Sequence, residues 1–214
     1  MRLPMLGWSL LVLAAAPVAA QQVSVGAGYA MADYREQAAF LRFRGTGPTA
    51  TLSLAYSRWG LTVDASHFNF DPSSDDTTLE PFALDQISAR LSMRTMSFVA
   101  VEGGFLRRSA SPGRGAQSYE AVTLGLKAAY PLAPGADMAL RTAYVAGSGF
   151  SGGGSAPFGI DLGLAIAYGP AKGRFRVTGD YEFQRIDRHT EQDGVRLDVP
   201  IQTAVARLGL AVKF

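Results

Sequence analysis

Ile160-Asp161-Leu162-Gly163-Leu164-Ala165-Ile166-Ala167-Tyr168 is apolar at every even position and small or acidic at every odd one. Side chains of an extended strand point alternately to its two faces, so this stretch is a strand with one apolar face and one polar or small face. The alternation continues in both directions from it. Phe175, Val177, Gly179, Tyr181 and Phe183 oppose Arg176, Thr178, Asp180, Glu182 and Gln184. Val23, Val25, Ala27, Tyr29 and Met31 oppose Ser24, Gly26, Gly28 and Ala30. No segment carries a 3.6-residue apolar period, and the reading is an all-β chain.

Composition narrows the class further. Of 214 residues, 48% are hydrophobic and 18% charged, too apolar for a disordered tail and too sparsely charged for a coiled coil. There is no cysteine, which excludes a disulfide framework, a cysteine zinc site and a thiol nucleophile. Basic residues number 20 and acidic ones 18, a balance that does not point to nucleic acid. Residues 1–20 read as a secretory signal: Arg2 near the start, an apolar run, then Pro17-Val18-Ala19-Ala20. That run is too short to cross about 30 Å of hydrocarbon as a helix, and no later stretch reaches the roughly 18 apolar residues such a helix needs. The expected organisation is a signal peptide over 1–20 and one β-domain over 21–214.

The pattern predicts about ten strands of about ten residues, the length that crosses a membrane when tilted. The predicted spans are 23–32, 49–58, 61–70, 84–94, 97–107, 117–130, 138–149, 159–168, 174–184 and 199–214. Connectors alternate between short (at 59–60, 95–96, 132–137 and 169–173) and long and polar (33–48, 71–83, 108–116, 150–158 and 185–198). Short periplasmic turns alternating with longer outer loops are the layout of an antiparallel up-and-down transmembrane barrel with both termini in the periplasm. Leu41 and Phe43 alternate with Arg42 and Arg44 inside the first long connector, so eight strands is the alternative.

Alternation alone does not say which face is outside, since a soluble lipocalin-like carrier shows the same period. Three features favour the membrane. The polar face is rich in Gly, Ala and Ser (Ser53, Ala55, Ser57; Gly163, Ala165; Gly209, Ala211), where a water-facing wall would carry far more Lys and Glu. Aromatic residues gather at strand ends in two belts. Tyr56, Trp59, Phe98, Tyr130, Tyr168, Phe175 and Phe214 fall at the periplasmic level; Tyr29, Phe68, Phe105, Tyr119, Tyr144 and Phe183 fall at the outer level. Finally, the chain closes on Leu208-Gly209-Leu210-Ala211-Val212-Lys213-Phe214. This resembles the last strand of Gram-negative outer-membrane β-barrel proteins, which finish on an aromatic with apolar residues at alternate preceding positions. The resemblance implies an outer-membrane barrel among lipid and lipopolysaccharide, whose Leu208, Leu210, Val212 and Phe214 are read by the barrel assembly machinery.

With the apolar face in lipid, the other face lines a lumen. It carries Arg90, Arg94, Lys127, Arg141, Arg176, Arg207 and Lys213 against Asp64, Glu102, Asp161, Asp180 and Glu182. Charges away from bulk water require pairing, so the expectation is a bracing network across the wall. The functional alternative is a narrow path with a mild preference for anions. Chemistry is scarce. His67 and Ser66 are adjacent and should point to opposite faces, against a direct pair, and no motif of the lipid A deacylases surrounds either histidine. Asp187-Arg188-His189 places a carboxylate and an imidazole at i and i+2, and resembles the Asp-x-His element of the omptin proteases. The second acidic pair of that family finds only adjacent Asp75 and Asp76 here. Asp71, Asp75, Asp76 and Glu80 read as a solvated loop rather than a cation site, and Gly152 to Gly154 as a loop tip. Arg107, Arg108 and Arg114 predict a basic outer loop with lipopolysaccharide as a candidate partner. No cofactor or metal is implied. The leading expectation is a barrel with a structural, surface-interaction or narrow-pore role. The alternatives are an adhesin using 33–48 and 185–198 on a host ligand, a hydrolase using Asp187 and His189, and a soluble periplasmic carrier.

Overall fold

A computed structural model describes residues 21–37, 40–73, 79–112, 114–170, 173–192 and 195–214. The expected signal segment, 1–20, lies outside the described residues. Ten strands form one closed barrel: β1 (Gln21–Glu36), β2 (Leu41–Tyr56), β3 (Trp59–Pro72), β4 (Phe82–Arg94), β5 (Val99–Ser111), β6 (Tyr119–Ala133), β7 (Ala136–Phe150), β8 (Ser155–Tyr168), β9 (Phe175–Gln192) and β10 (Val195–Lys213). Each strand pairs antiparallel with its sequence neighbours. β1 closes the ring on β10, from Ser24 opposite Lys213 to Glu36 opposite Ile201. Ten strands is thus the count, and the eight-strand alternative is set aside. Closure matters because a strand edge in hydrocarbon would leave backbone N–H and C=O groups unpaired.

The strands are longer than the periodicity predicts, and two expected loops do not exist. Residues 33–48 belong mostly to β1 and β2, joined across 37–40, and 185–198 belong to β9 and β10. The cause is a reversal of sign within an unbroken period of two. Near the termini the outward side chains are apolar: Val25, Leu52, Leu91, Leu124, Ile166 and Leu208 all stand exposed, Leu124 at 65% and Leu208 at 66%. So wide an exposed apolar band is the surface a barrel presents to lipid. Toward the far end, away from both termini, outward positions become charged (Asp33, Arg35, Arg42, Arg44, Arg185, Asp187) while inward ones become apolar (Tyr34, Phe43, Ile186). The strands leave the lipid there and continue as a water-facing stub with a conventional apolar interior.

Two belt assignments are corrected by the same reversal. Phe68 and Tyr119 do not face lipid; both point inward and are 0% and 3% exposed. The remaining rings hold their outward positions or lie partly covered, among them Tyr29, Phe105 and Tyr144 toward the far end and Trp59, Tyr168, Phe175 and Phe214 at the near end.

Candidate functional site

The barrel interior has two storeys of different chemistry. In the near half, a chamber of about 270 Å³ is lined by Arg90, Lys127, Arg141 and Arg207 and by Asp64, Glu102, Asp180 and Glu182, with Asp161 buried behind the lining. Small residues on adjoining strands, among them Gly26, Gly28, Gly163 and Gly209, leave the room. Most of the charges are paired across the wall. Arg141 grips Asp161 with two parallel bonds, Nη1 to Oδ2 at 2.9 Å and Nη2 to Oδ1 at 3.0 Å. Arg207 Nη1 lies 2.6 Å from Asp180 Oδ1 and 2.9 Å from Glu182 Oε2. Arg90 binds Asp64, which also accepts from Thr51 at 2.8 Å. Such geometry is what makes buried ion pairs tolerable at all, because the Coulomb gain must offset desolvation.

Other inward charges stand differently. Arg176 pairs at 2.5 Å with Asp137, an acidic partner absent from the sequence-derived set because it sits in an expected turn. Arg94 is exposed and, with Lys213, lines a second cavity of about 670 Å³ that includes Lys127 and Asp137. Glu102 is buried, and its Oε2 has no hydrogen-bond partner among the described residues. The chamber lining counts four basic and four acidic side chains, with Asp161 buried behind it on Arg141, so the anion preference expected from the larger list does not describe it.

The far storey holds a packed apolar core. Tyr34, Phe43, Phe68, Phe70 and Phe82 form an aromatic cluster, with Phe70 stacked on Phe82 at 4.9 Å and Phe43 edge-on to Phe82 at 5.1 Å. Leu84, Leu106, Val145, Ile186, Ile201 and Val205 complete the core. Above it lie polar groups that hold the connections in place. Arg114 reaches Glu36 at 3.3 Å, with its guanidinium 5.0 Å over the ring of Phe43. Tyr34 donates to Glu36 at 3.0 Å, and burial together with Glu36 pushes its phenol well up, so it stays a neutral donor. Arg188 donates to Gln117 Oε1 at 2.8 Å and to the carbonyl of Gly153. Gly153 and Gly154 take positive φ of 76° and 94°, which a side chain would strain.

These contacts overturn the expected basic outer loop. Arg108 is inside the barrel, 3% exposed, donating to Gln86 at 2.7 Å and Thr203 at 2.8 Å. Arg114 covers the core, and only Arg107 is exposed, 3.4 Å from Glu120. The histidines stand elsewhere again. Ser66 faces inward, while His67 faces outward with Nδ1 2.7 Å from Asp85. Asp187 and His189 share the outward face of β9; Asp187 accepts from Arg185 at 2.9 Å and His189 lies 3.2 Å from Asp198. Neither points toward the mouth of the barrel. Asp75 and Asp76 lie outside the described residues.

A closed antiparallel ring with an apolar outside and a charged, partly packed inside defines a transmembrane up-and-down β-barrel of the outer-membrane type. Among solved structures the chain is similar to an outer membrane channel from Pseudomonas putida F1, at a TM-score of 0.50 and 10% identity, covering 94% of this chain and 97% of that one. It is also similar to the outer membrane protease OmpT from Escherichia coli, at 0.49 and 8%, with 91% and 96% covered. Neisserial surface protein A follows at 0.45 and 16%, with 90% and 97% covered. No family model and no curated protein matches the chain. At these identities the likeness is one of fold.

Proposed function

We propose that residues 1–20 export the chain and that residues 21–214 span the outer membrane of a Gram-negative cell, with the near end in the periplasm and the far end on the surface. The outward row Leu208, Leu210, Val212 and Phe214 of β10 is the segment that the barrel assembly machinery reads. The protein works as a closed surface barrel, through its stub and exterior, and neither as an open pore nor as an enzyme. The observation that carries this is the buried core centred on Phe43, Phe70 and Phe82, which fills the far half of the lumen. Against catalysis stands the engagement of Asp187 by Arg185 on the barrel's outer wall, away from any enclosed site. The conductance of refolded residues 21–214 in a planar bilayer tests the proposal, with folding checked by the mobility of the unboiled protein. The expected record is flat. Reproducible current steps from the folded chain would reject the closed-barrel reading.

A further inference from the structure

The exterior carries a groove of about 630 Å³ where the apolar band meets the charged collar. Its floor is Ala204 and Ala206 of β10. Cross-strand register sets Ala206 between Met31 and Tyr181, and Ala204 between Asp33 and Phe183. Two small residues between bulkier columns make a trough open toward the lipid. One row higher, Gln202 lies between Arg35 of β1 and Arg185 of β9, and Arg42 follows Arg35 on β2. Neighbouring strands lie about 4.8 Å apart, so Arg35 and Arg185 stand two strands apart on either side of Gln202; Arg35 and Gln202 line the groove and Arg185 stands at its edge. Arg44, exposed and lining the same groove, has no acidic partner among the described residues.

The acidic neighbours do not cancel this charge. Asp33 is saturated, accepting from Arg35 Nε at 2.6 Å and from Arg42 Nε at 2.8 Å, so it fixes two guanidinium groups side by side. Asp187 holds Arg185 through Nε alone at 2.9 Å. Asp71 lines the groove opposite Arg44 in register and marks the edge a bound anion must avoid. An apolar trough capped by preoriented arginines complements a molecule with acyl chains below and phosphate above.

We propose that this groove binds one phosphorylated glycolipid of the surrounding outer leaflet, its acyl chain over Ala204 and Ala206 and its phosphate on Arg35 and Arg44 beside Gln202, with Arg185 at the edge. The assignment rests on the outer-membrane reading above and moves the anionic contact from the expected loop to the strand-built wall. The test titrates the folded full-length barrel in neutral detergent with bisphosphorylated lipid A and with the same lipid stripped of phosphate, read by native mass spectrometry. Phosphate removal should weaken binding about tenfold, the scale of one lost charged hydrogen bond. Arg35→Gln with Arg44→Gln should weaken the phosphorylated lipid by a similar factor and leave the stripped lipid unchanged. Ala206→Trp should weaken both lipids, and Arg107→Gln, on another part of the wall, neither. Arg44→Gln alone breaks no ion pair, so its folding is secure and it should show a smaller loss in the same direction. Equal binding of the two lipids, or an equal effect of Arg107→Gln, overturns the proposal. Fractionation outside the outer membrane would reject the location, whereas lack of phosphate discrimination in a correctly located barrel rejects the groove alone.

Discussion

Arg207 is the residue on which the near-half network turns. It is 13% exposed on its side chain and serves Asp180 and Glu182 together, with Glu182 at 8%. Removing one partner of a buried pair leaves an uncompensated charge, at about 3–5 kcal/mol, whereas removing all partners is often nearly neutral. Arg207→Met should therefore lower the urea midpoint strongly, and Arg207→Met with Asp180→Asn and Glu182→Gln should recover most of the loss. A triple variant no more stable than the single one would show that packing, not charge, is the dominant loss. Asp33 is the corresponding residue on the stub. Burial raises its pKa, but the hydrogen bonds from Arg35 and Arg42 outweigh this and hold the carboxyl below its usual value. A carboxyl depressed on folding stabilises above its unfolded pKa of about 3.9, and that stability is lost as pH falls through the folded value. Asp33→Asn should thus lower the urea midpoint at neutral pH, with the gap to the parent closing only in strong acid. A gap of constant size down to pH values where all carboxylates are protonated would contradict the assignment.

At the scale of the strand, β10 shows what the sequence makes legible and what it hides. Leu208, Leu210 and Val212 read as one apolar face, and the first two stand 66% and 60% exposed with Phe214 at 72%. Replacing Phe214 by Asp should reduce outer-membrane levels sharply; unchanged levels would mean that the row is not an assembly signal. Farther up the same strand, Ile201, Thr203 and Val205 are buried and inward, although they sit at odd positions where Leu208 and Leu210 are outward at even ones. Periodicity reports that two faces differ, not which solvent each meets, so a strand crossing from lipid to water inverts its pattern without breaking it. That is why 33–48 and 185–198 read as loops: their charges looked solvated, and apart from the buried Glu36 and Arg188 those described stand on the outside of a continuing wall. In β3 the same reversal gives Ser66, Phe68 and Phe70 the inward places. Of the candidate charges, Asp64, Arg90, Arg141, Asp180, Glu182 and Arg207 line one chamber, and Asp161 is buried beside it on Arg141. Arg108 and Arg114 lacked any local signal of burial, because their partners Thr203 and Glu36 are remote in the chain.

The whole molecule is a tube with one chemistry at each end, and this yields a prediction about current. On the proposed closed-barrel reading, closure resides in the far-end core, so an opening must come from there and any ion that passes must then cross the charged chamber. Phe43 is fully buried against Phe82 and Tyr34, beneath the guanidinium of Arg114. Phe43→Ala should cost about 3–5 kcal/mol, as large-to-small changes in a packed core do. Removal of the ring leaves a void directly under the Arg114–Glu36 pair, and with Arg114→Ala the lid over that void is lost as well. The double variant, folded by gel mobility, should give brief small steps in a planar bilayer where the parent is flat. Selectivity then reports on the chamber. With Asp64, Glu102, Asp180 and Glu182 lining the chamber and Asp161 behind them on Arg141, against Arg90, Lys127, Arg141 and Arg207, and with Glu102 the acid whose Oε2 lacks a partner, cations should be mildly favoured. The reversal potential across a KCl gradient should carry the sign for potassium, and Glu102→Gln should move it toward zero. Silence from the folded double variant would place the seal below Phe43, and a chloride-signed potential would mean that the chamber's acids are neutralised where they stand.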